Sequence, residues 1–112
     1  MSRYHLLDDL QLITLLKNDD REAFAEIYIR YADDLTNFTS AKIQHFEDAS
    51  DLIQDLFVKF WEQRKDVKID RDLKAYLFSV ARYRIIDKIR KNSTHQAYAT
   101  IIQALAIRYE SF

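Results

Sequence analysis

Between Asp48 and Trp61, in "DASDLIQDLFVKFW", the apolar residues fall at Ala49, Leu52, Ile53, Leu56, Phe57, Phe60 and Trp61. Spacings of three and four place them on one face of a helix, and Asp48 is its predicted N-cap. The same period runs through "LDDLQLITLLKND", where Asp8 or Asp9 is the predicted cap. Leu10, Leu12, Ile13 and Leu16 form its inner face, and Asn18-Asp19-Asp20 end it, with Asn18 suited to a left-handed turn. A second helix follows in "DREAFAEIYIRYADDLTNFTSAKIQ", with Ala23, Phe24, Ile27, Tyr28, Tyr31, Leu35, Phe38 and Ile43 as buried candidates and "HFED" as the break after it. "KDVKIDRD" has no clean period and is predicted as a loop. Asp72 then caps "LKAYLFSVARYRIIDKIRK", a helix to about Asn92 whose buried side is marked by Leu73, Leu77, Val80 and Ala81. From Ser93 onward, Ile101, Ile102, Leu105 and Tyr109 allow one more amphipathic helix. The pattern predicts an all-α, compact helical bundle of about four helices, with residues 1–92 as the helical domain and 93–112 as a linker or additional helix.

Composition sharpens this picture. The 112 residues contain no glycine and no proline, so hairpin turns that rely on glycine are disfavoured and an all-helical chain is the cheapest solution. There is no cysteine, which removes disulfides and thiolate chemistry and suits a reducing compartment. No long apolar run suggests a membrane span, so the expected location is cytoplasmic. The net charge of -1 conceals a polarity. Residues 1–63 hold six Lys/Arg against thirteen Asp/Glu; residues 64–112 hold eleven against five. Such asymmetry points to two different partners or to an internal pairing.

On the third helix Asp51, Gln54, Asp55, Val58 and Glu62 fall opposite the apolar stripe. A carboxylate–amide–carboxylate patch suits a partner helix rich in Arg or Lys, and Val58 among the acids is the apolar element a docking surface requires. The same positions also fit a plain solvated face. From Arg64 to Asn92, ten Lys/Arg stand against four Asp and are interleaved with aromatic residues. Cations neutralise phosphates with a steep salt dependence, and exposed aromatics stack on unpaired bases. Lys65, Lys68 and Arg71 in the loop have few structural duties and are the strongest phosphate candidates. Lys74, Lys88 and Lys91 follow on the helix, with Tyr76 and Tyr83 as aromatic candidates. Phe78 and Trp61 fit the core better, Arg84 falls in an apolar sector and should snorkel, and Asp87 with Arg90 is spaced for a surface pair. The three histidines have no ligand spacing, and no phosphate loop or Glu-x-x-His motif occurs. No catalytic residue, metal or cofactor is expected.

The runs "DDREAFAEIYIRYADDL", "DASDLIQDLFVKFW" and "LKAYLFSVARYRIIDKIRK", in that order, resemble region 2 of bacterial extracytoplasmic-function (ECF) sigma factors of the sigma-70 family, over roughly Asp9 to Asn92. The resemblance implies a transcription initiation domain that binds the β′ clamp helices of RNA polymerase core. It also implies recognition and melting of the promoter minus-ten element through the non-template strand. Asp51, Gln54 and Asp55 match the family's polymerase-contacting positions, and Lys65–Asp72 matches the loop that captures a flipped base. Tyr76, Arg82, Tyr83, Ile86 and Asp87 fall on or beside positions that face promoter DNA. An anti-sigma factor is a further partner class that the family implies. Tyr83 stands where the group commonly has Asn, Ser79-Val80 where primary sigma factors carry two tryptophans, and Asn18 where a Gly is usual. Nothing after Asn92 reads as the family's helix-turn-helix, so the chain is expected to be either the region 2 part of a longer protein, the preferred reading, or a naturally shortened protein. Without the resemblance, a helical protein-interaction module with no nucleic-acid role remains open.

Overall fold

The computed structural model describes residues 3–69, 72–92 and 101–105. After a 3-10 turn, Tyr4–Leu6, four helices follow: α1 (Asp9–Lys17), α2 (Arg21–Ile43), α3 (Phe46–Glu62) and α4 (Leu73–Asn92). No strand occurs among the described residues. The predicted all-α bundle of about four helices is therefore what the chain forms. α2 is the central element, packing against α1, α3 and α4.

Local chemistry explains most boundaries. Asp8 caps α1 with a full capping box: its carboxylate accepts from the Gln11 N–H at 2.8 Å, while the Asp8 N–H donates to Gln11 Oε1 at 2.9 Å. Asp20 caps α2 by accepting from the N–H groups of Glu22 and Ala23. Asp72 accepts from the Ala75 N–H at 3.2 Å and opens α4, as predicted. Two boundaries differ from the sequence expectation. The left-handed residue after α1 is Asp19, at φ 66°, not Asn18. The chain also re-enters the helix at Phe46, so the N-cap of α3 is His45 and not Asp48. Gln44 supplies that turn in left-handed geometry at φ 63° and His45 is extended. Asp48 instead lies in the first turn with Glu47, where a carboxylate offsets the positive end of the helix dipole.

The main core joins Leu12, Ile13 and Leu16 of α1 to Ile27 and Leu35 of α2, Ile53, Leu56, Phe57 and Phe60 of α3, and Leu73, Leu77 and Ala81 of α4. Each large aliphatic or aromatic side chain so buried contributes about 1.5–3 kcal/mol relative to exposure. Phe24 sits among Phe57, Phe60 and Trp61 with centroids 5.3–6.4 Å apart, locking α2 to α3. Leu10 was expected inside but is 57% exposed, because the inner arc of this short helix is centred on Leu12 and Leu16. Tyr28 is likewise exposed, although its ring still meets Phe57 edge-on at 4.9 Å.

A second, smaller core lies at the far end of α4. Ile85 and Ile89 enclose Leu105, which is only 1% exposed, with Phe38, Ile43, Leu52, Ile86 and Ile101 around them. Residues 101–105 are helical, one of the two forms that the sequence left open for the C-terminal segment. Tyr109 lies outside the described residues.

At the other end, Arg30 of α2 clasps the N-terminal segment. Its guanidinium donates to Asp9 at 3.0 Å, to Glu26 at 2.9 Å, and to the carbonyls of Tyr4, His5 and Leu7. Tyr31 also donates to Asp9, and Tyr4 donates to Asp20 at 2.6 Å.

Candidate functional site

The amphipathic phase of α3 turns Asp51, Gln54, Asp55, Val58 and Glu62 outward, and all five are exposed. Val58 is 55% exposed among polar neighbours. Glu62 lies 3.9 Å from Lys59 across one helical turn, a loose surface contact. The predicted stripe is thus continuous and faces solvent.

Its edge is not isolated from the cations of α4. Asp48, Asp51 and Asp55 line one wall of an open groove of about 330 Å³, with Leu52 as its floor. Arg84, Asp87, Lys88 and Lys91 line the other wall. Among the described residues no ion pair spans it, so the Asp51 and Asp55 carboxylates stay available. Arg84 is half-buried and reaches the groove from the apolar side of α4, the snorkelling expected of it. A second recess adjoins the groove through Asp48 and Lys88 and is walled by Lys42, His45 and Ile101.

The cationic candidates divide into engaged and available groups. Lys65, expected to have little structural duty, is instead anchored. Its ammonium donates to the Lys17 carbonyl at 2.8 Å and pairs with Asp19 at 3.1 Å. Arg64 shares the same carboxylate at 2.9 Å, donates to the Trp61 carbonyl at 2.8 Å and lies 3.9 Å above the Trp61 ring. The two cations hold the Asp19 carboxyl below its usual range, Lys65 contributing most. Lys68 is exposed beside a recess formed with Gln63, Asp66, Val67 and Tyr76. Arg71 lies outside the described residues.

On α4, Lys74 is exposed with its ammonium 6.0 Å from the Phe78 ring. Tyr76 is half-buried, its ring 6.2 Å from Phe60, and burial raises its phenol pKa. Phe78 packs edge-on against Phe38 at 5.2 Å, as befits a core residue. Tyr83 is 78% exposed, the most open large apolar side chain among the described residues. Arg82 and Lys88 are half-buried, and Ile86 leans into the second core. Asp87 pairs with Lys91 at 3.1 Å and Arg90 at 2.9 Å; these cations hold its carboxyl below the usual range, Lys91 first. The sequence anticipated the pair with Arg90 and not the one with Lys91.

Two groups escaped the sequence analysis. Arg84 and Asp48 join the groove because α3 and α4 face each other there, which helical phase alone does not reveal. Asp19 anchors residues 45 and 46 positions away, and no local pattern signals that. Among the described residues no cluster of His, Asp or Glu is arranged for a metal ion, and no helix is long and apolar enough to cross a membrane.

Comparison with known proteins decides the family. The model of sigma-70 region 2 matches residues 27–95, more than half of the chain and all of α3 and α4. The chain belongs to the sigma-70 region 2 family. Two curated relatives come from Bacillus subtilis (strain 168). RNA polymerase sigma factor YlaC is 25% identical over 76 residues, covering 68% of this chain and 44% of that protein. ECF RNA polymerase sigma factor SigW is 28% identical over 79 residues, covering 70% of this chain and 42% of that protein. The chain thus spans less than half the length of these relatives. No solved structure matches it significantly. Within this sigma-70 region 2 domain, α3 carries the acidic outward stripe, while the following loop and α4 carry the cations and the open tyrosine.

Proposed function

We propose that this ECF-type region 2 domain acts in transcription initiation as a non-catalytic adaptor between RNA polymerase core and promoter DNA, in the cytoplasm. Its similarity to two RNA polymerase sigma factors supports that role. In this reading the stripe of Asp51, Gln54, Asp55, Val58 and Glu62 docks on the β′ clamp helices. The loop from Lys65 and the outer side of α4 hold the non-template strand of the minus-ten element as it leaves the duplex. Lys68, Arg71, Lys74 and Lys88 supply phosphate contacts, and Tyr76, Arg82 and Tyr83 line the base-facing side, while Ile86 packs inward and Asp87 engages Lys91.

The observation that carries the reading is the unobstructed outward stripe of α3, with exposed Val58 at its centre. Carboxylates in such a stripe steer encounter with a cationic helix, and a central apolar side chain gives the contact a desolvated core. Tyr83 offers an exposed ring for stacking, worth roughly 1–3 kcal/mol per base. The test has two arms. Asp51→Arg combined with Gln54→Ala should abolish binding to an isolated β′ clamp-helix fragment while the helical circular dichroism is unchanged. Tyr83→Ala should weaken binding to a minus-ten single strand by about 1–3 kcal/mol without lowering stability. Retained clamp binding rejects the docking face, and no detectable binding of the unaltered domain to the single strand at low salt favours a helical protein-interaction module without a nucleic-acid role.

A further inference from the structure

The corner between α1 and α2 bears directly on the loop after α3. Asp19 stands there in left-handed geometry, which a residue with a β-carbon adopts only at some cost. One oxygen, Oδ1, receives Arg64 Nε at 2.9 Å, Arg64 Nη2 at 2.9 Å and Lys65 Nζ at 3.1 Å. The same ammonium reaches the Lys17 carbonyl, the last residue of α1, where the helix dipole is negative. Lys65 is therefore held by two independent attractions on an element far away in sequence.

We propose that Asp19 is a positioning residue for the nucleic-acid loop, fixing Arg64 and Lys65 at its start against the α1–α2 corner and withholding the Lys65 ammonium from the backbone of a bound strand. The proposal rests on the nucleic-acid reading above and deepens it. A phosphate that approaches Lys65 meets the Asp19 carboxylate at the same place, so part of the favourable charge of the loop is spent internally. What remains is a fixed starting point, from which Lys68 is presented. Non-specific affinity falls, while the geometry that discriminates among strands is kept.

The chain contains one tryptophan, Trp61, and Arg64 covers its ring. That gives a readout of the anchor that needs no DNA. Asn accepts left-handed geometry readily, so Asp19→Asn removes the charge and preserves the turn. In the full chain, D19N should make Trp61 more accessible to acrylamide quenching. It should also tighten binding to a fluorescein-labelled minus-ten single strand about fivefold at about 0.1 M salt, and steepen the salt slope by about 0.7, the value for one added phosphate contact on a single strand. The gain should vanish in a Lys65→Gln background. A plain change of net charge behaves differently: the gain from Asp66→Asn should survive that background.

Unchanged quenching in D19N overturns the anchor whether or not DNA binds. A D19N gain that persists with Lys65→Gln overturns Lys65 as the withheld group. If the unaltered chain binds no single strand at low salt, the nucleic-acid reading fails and takes the DNA half of this proposal with it; the quenching arm then decides the anchor alone.

Discussion

Arg30 offers the most quantitative test of how the N-terminal segment is held. Arg30→Met keeps most of the stem packing and deletes the guanidinium, so the measured loss belongs to the polar contacts. Those are ion pairs with Asp9 and Glu26 and three hydrogen bonds to the carbonyls of Tyr4, His5 and Leu7. The partners are largely shielded, with side-chain exposures of 22% for Arg30, 30% for Asp9 and 14% for Glu26. Hydrogen bonds to a charged group contribute about 1.5–3 kcal/mol each, and removing one member of a shielded pair strands the other charge. Partial solvent access and the remaining Tyr31 contact to Asp9 reduce the sum, so the expected loss is about 2–4 kcal/mol. With a urea slope of about 2 kcal/mol/M, the middle of the usual range for small proteins, the unfolding midpoint should fall by about 1–2 M. Amide exchange should locate the effect: the Leu6 and Leu7 N–H groups, bonded to the Arg3 and Tyr4 carbonyls, should lose protection first. A midpoint within about 0.3 M of the parent at unchanged slope would refute the idea that this guanidinium secures the segment.

Two further outcomes follow from the packing and from the shifted tyrosine. Leu105→Ala should cost about 2–3 kcal/mol, since it opens a cavity against Ile85 and Ile89; thermal unfolding should drop by about 10 °C, and an unshifted transition would mean that 101–105 does not pack there in solution. Tyr4 donates to Asp20, and that bond pushes its phenol up to about 12 from the ordinary 10.0. The folded value is the higher one, so this contribution is intact below pH 10 and is lost as pH rises toward 12. Tyr4→Phe should flatten the alkaline fall in melting temperature over that window, whereas a fall as steep as the parent's would assign it to other groups, Tyr31 foremost, whose phenol is also raised, by burial and then by Asp9.

Much of this architecture was legible because helices advertise themselves locally. The three- and four-residue spacing of Ile53, Leu56, Phe57 and Phe60 fixes the inner face of α3, and the outward position of Asp51, Gln54 and Val58 follows from the same rotation. The caps Asp8 and Asp72 announce themselves through side chains that satisfy nearby N–H groups. Errors arose where two local chemistries competed. Asn18 and Asp19 both tolerate left-handed geometry, and only the packing of α1 against α2 selects the second. His45 is a poor cap, yet the turn through Gln44 starts α3 before Asp48 can serve. The faces of the candidate site could be phased one helix at a time, but their relation could not. The shared groove of Asp51 and Lys88, and the tie between Asp19 and Lys65, exist only once the helices are packed together.

The two left-handed residues among those described give the domain unequal room for improvement. Neither is glycine, and a β-carbon in that region costs roughly 1–2 kcal/mol. At Gln44, which is exposed and whose side chain makes no hydrogen bond or ion pair among the described residues, a glycine would relieve the backbone, so this corner is a reserve of unused stability. At Asp19 the same exchange would relax the backbone and cut Arg64 and Lys65 loose together. One bend can be idealised freely, and the other keeps its tension because its side chain is already employed.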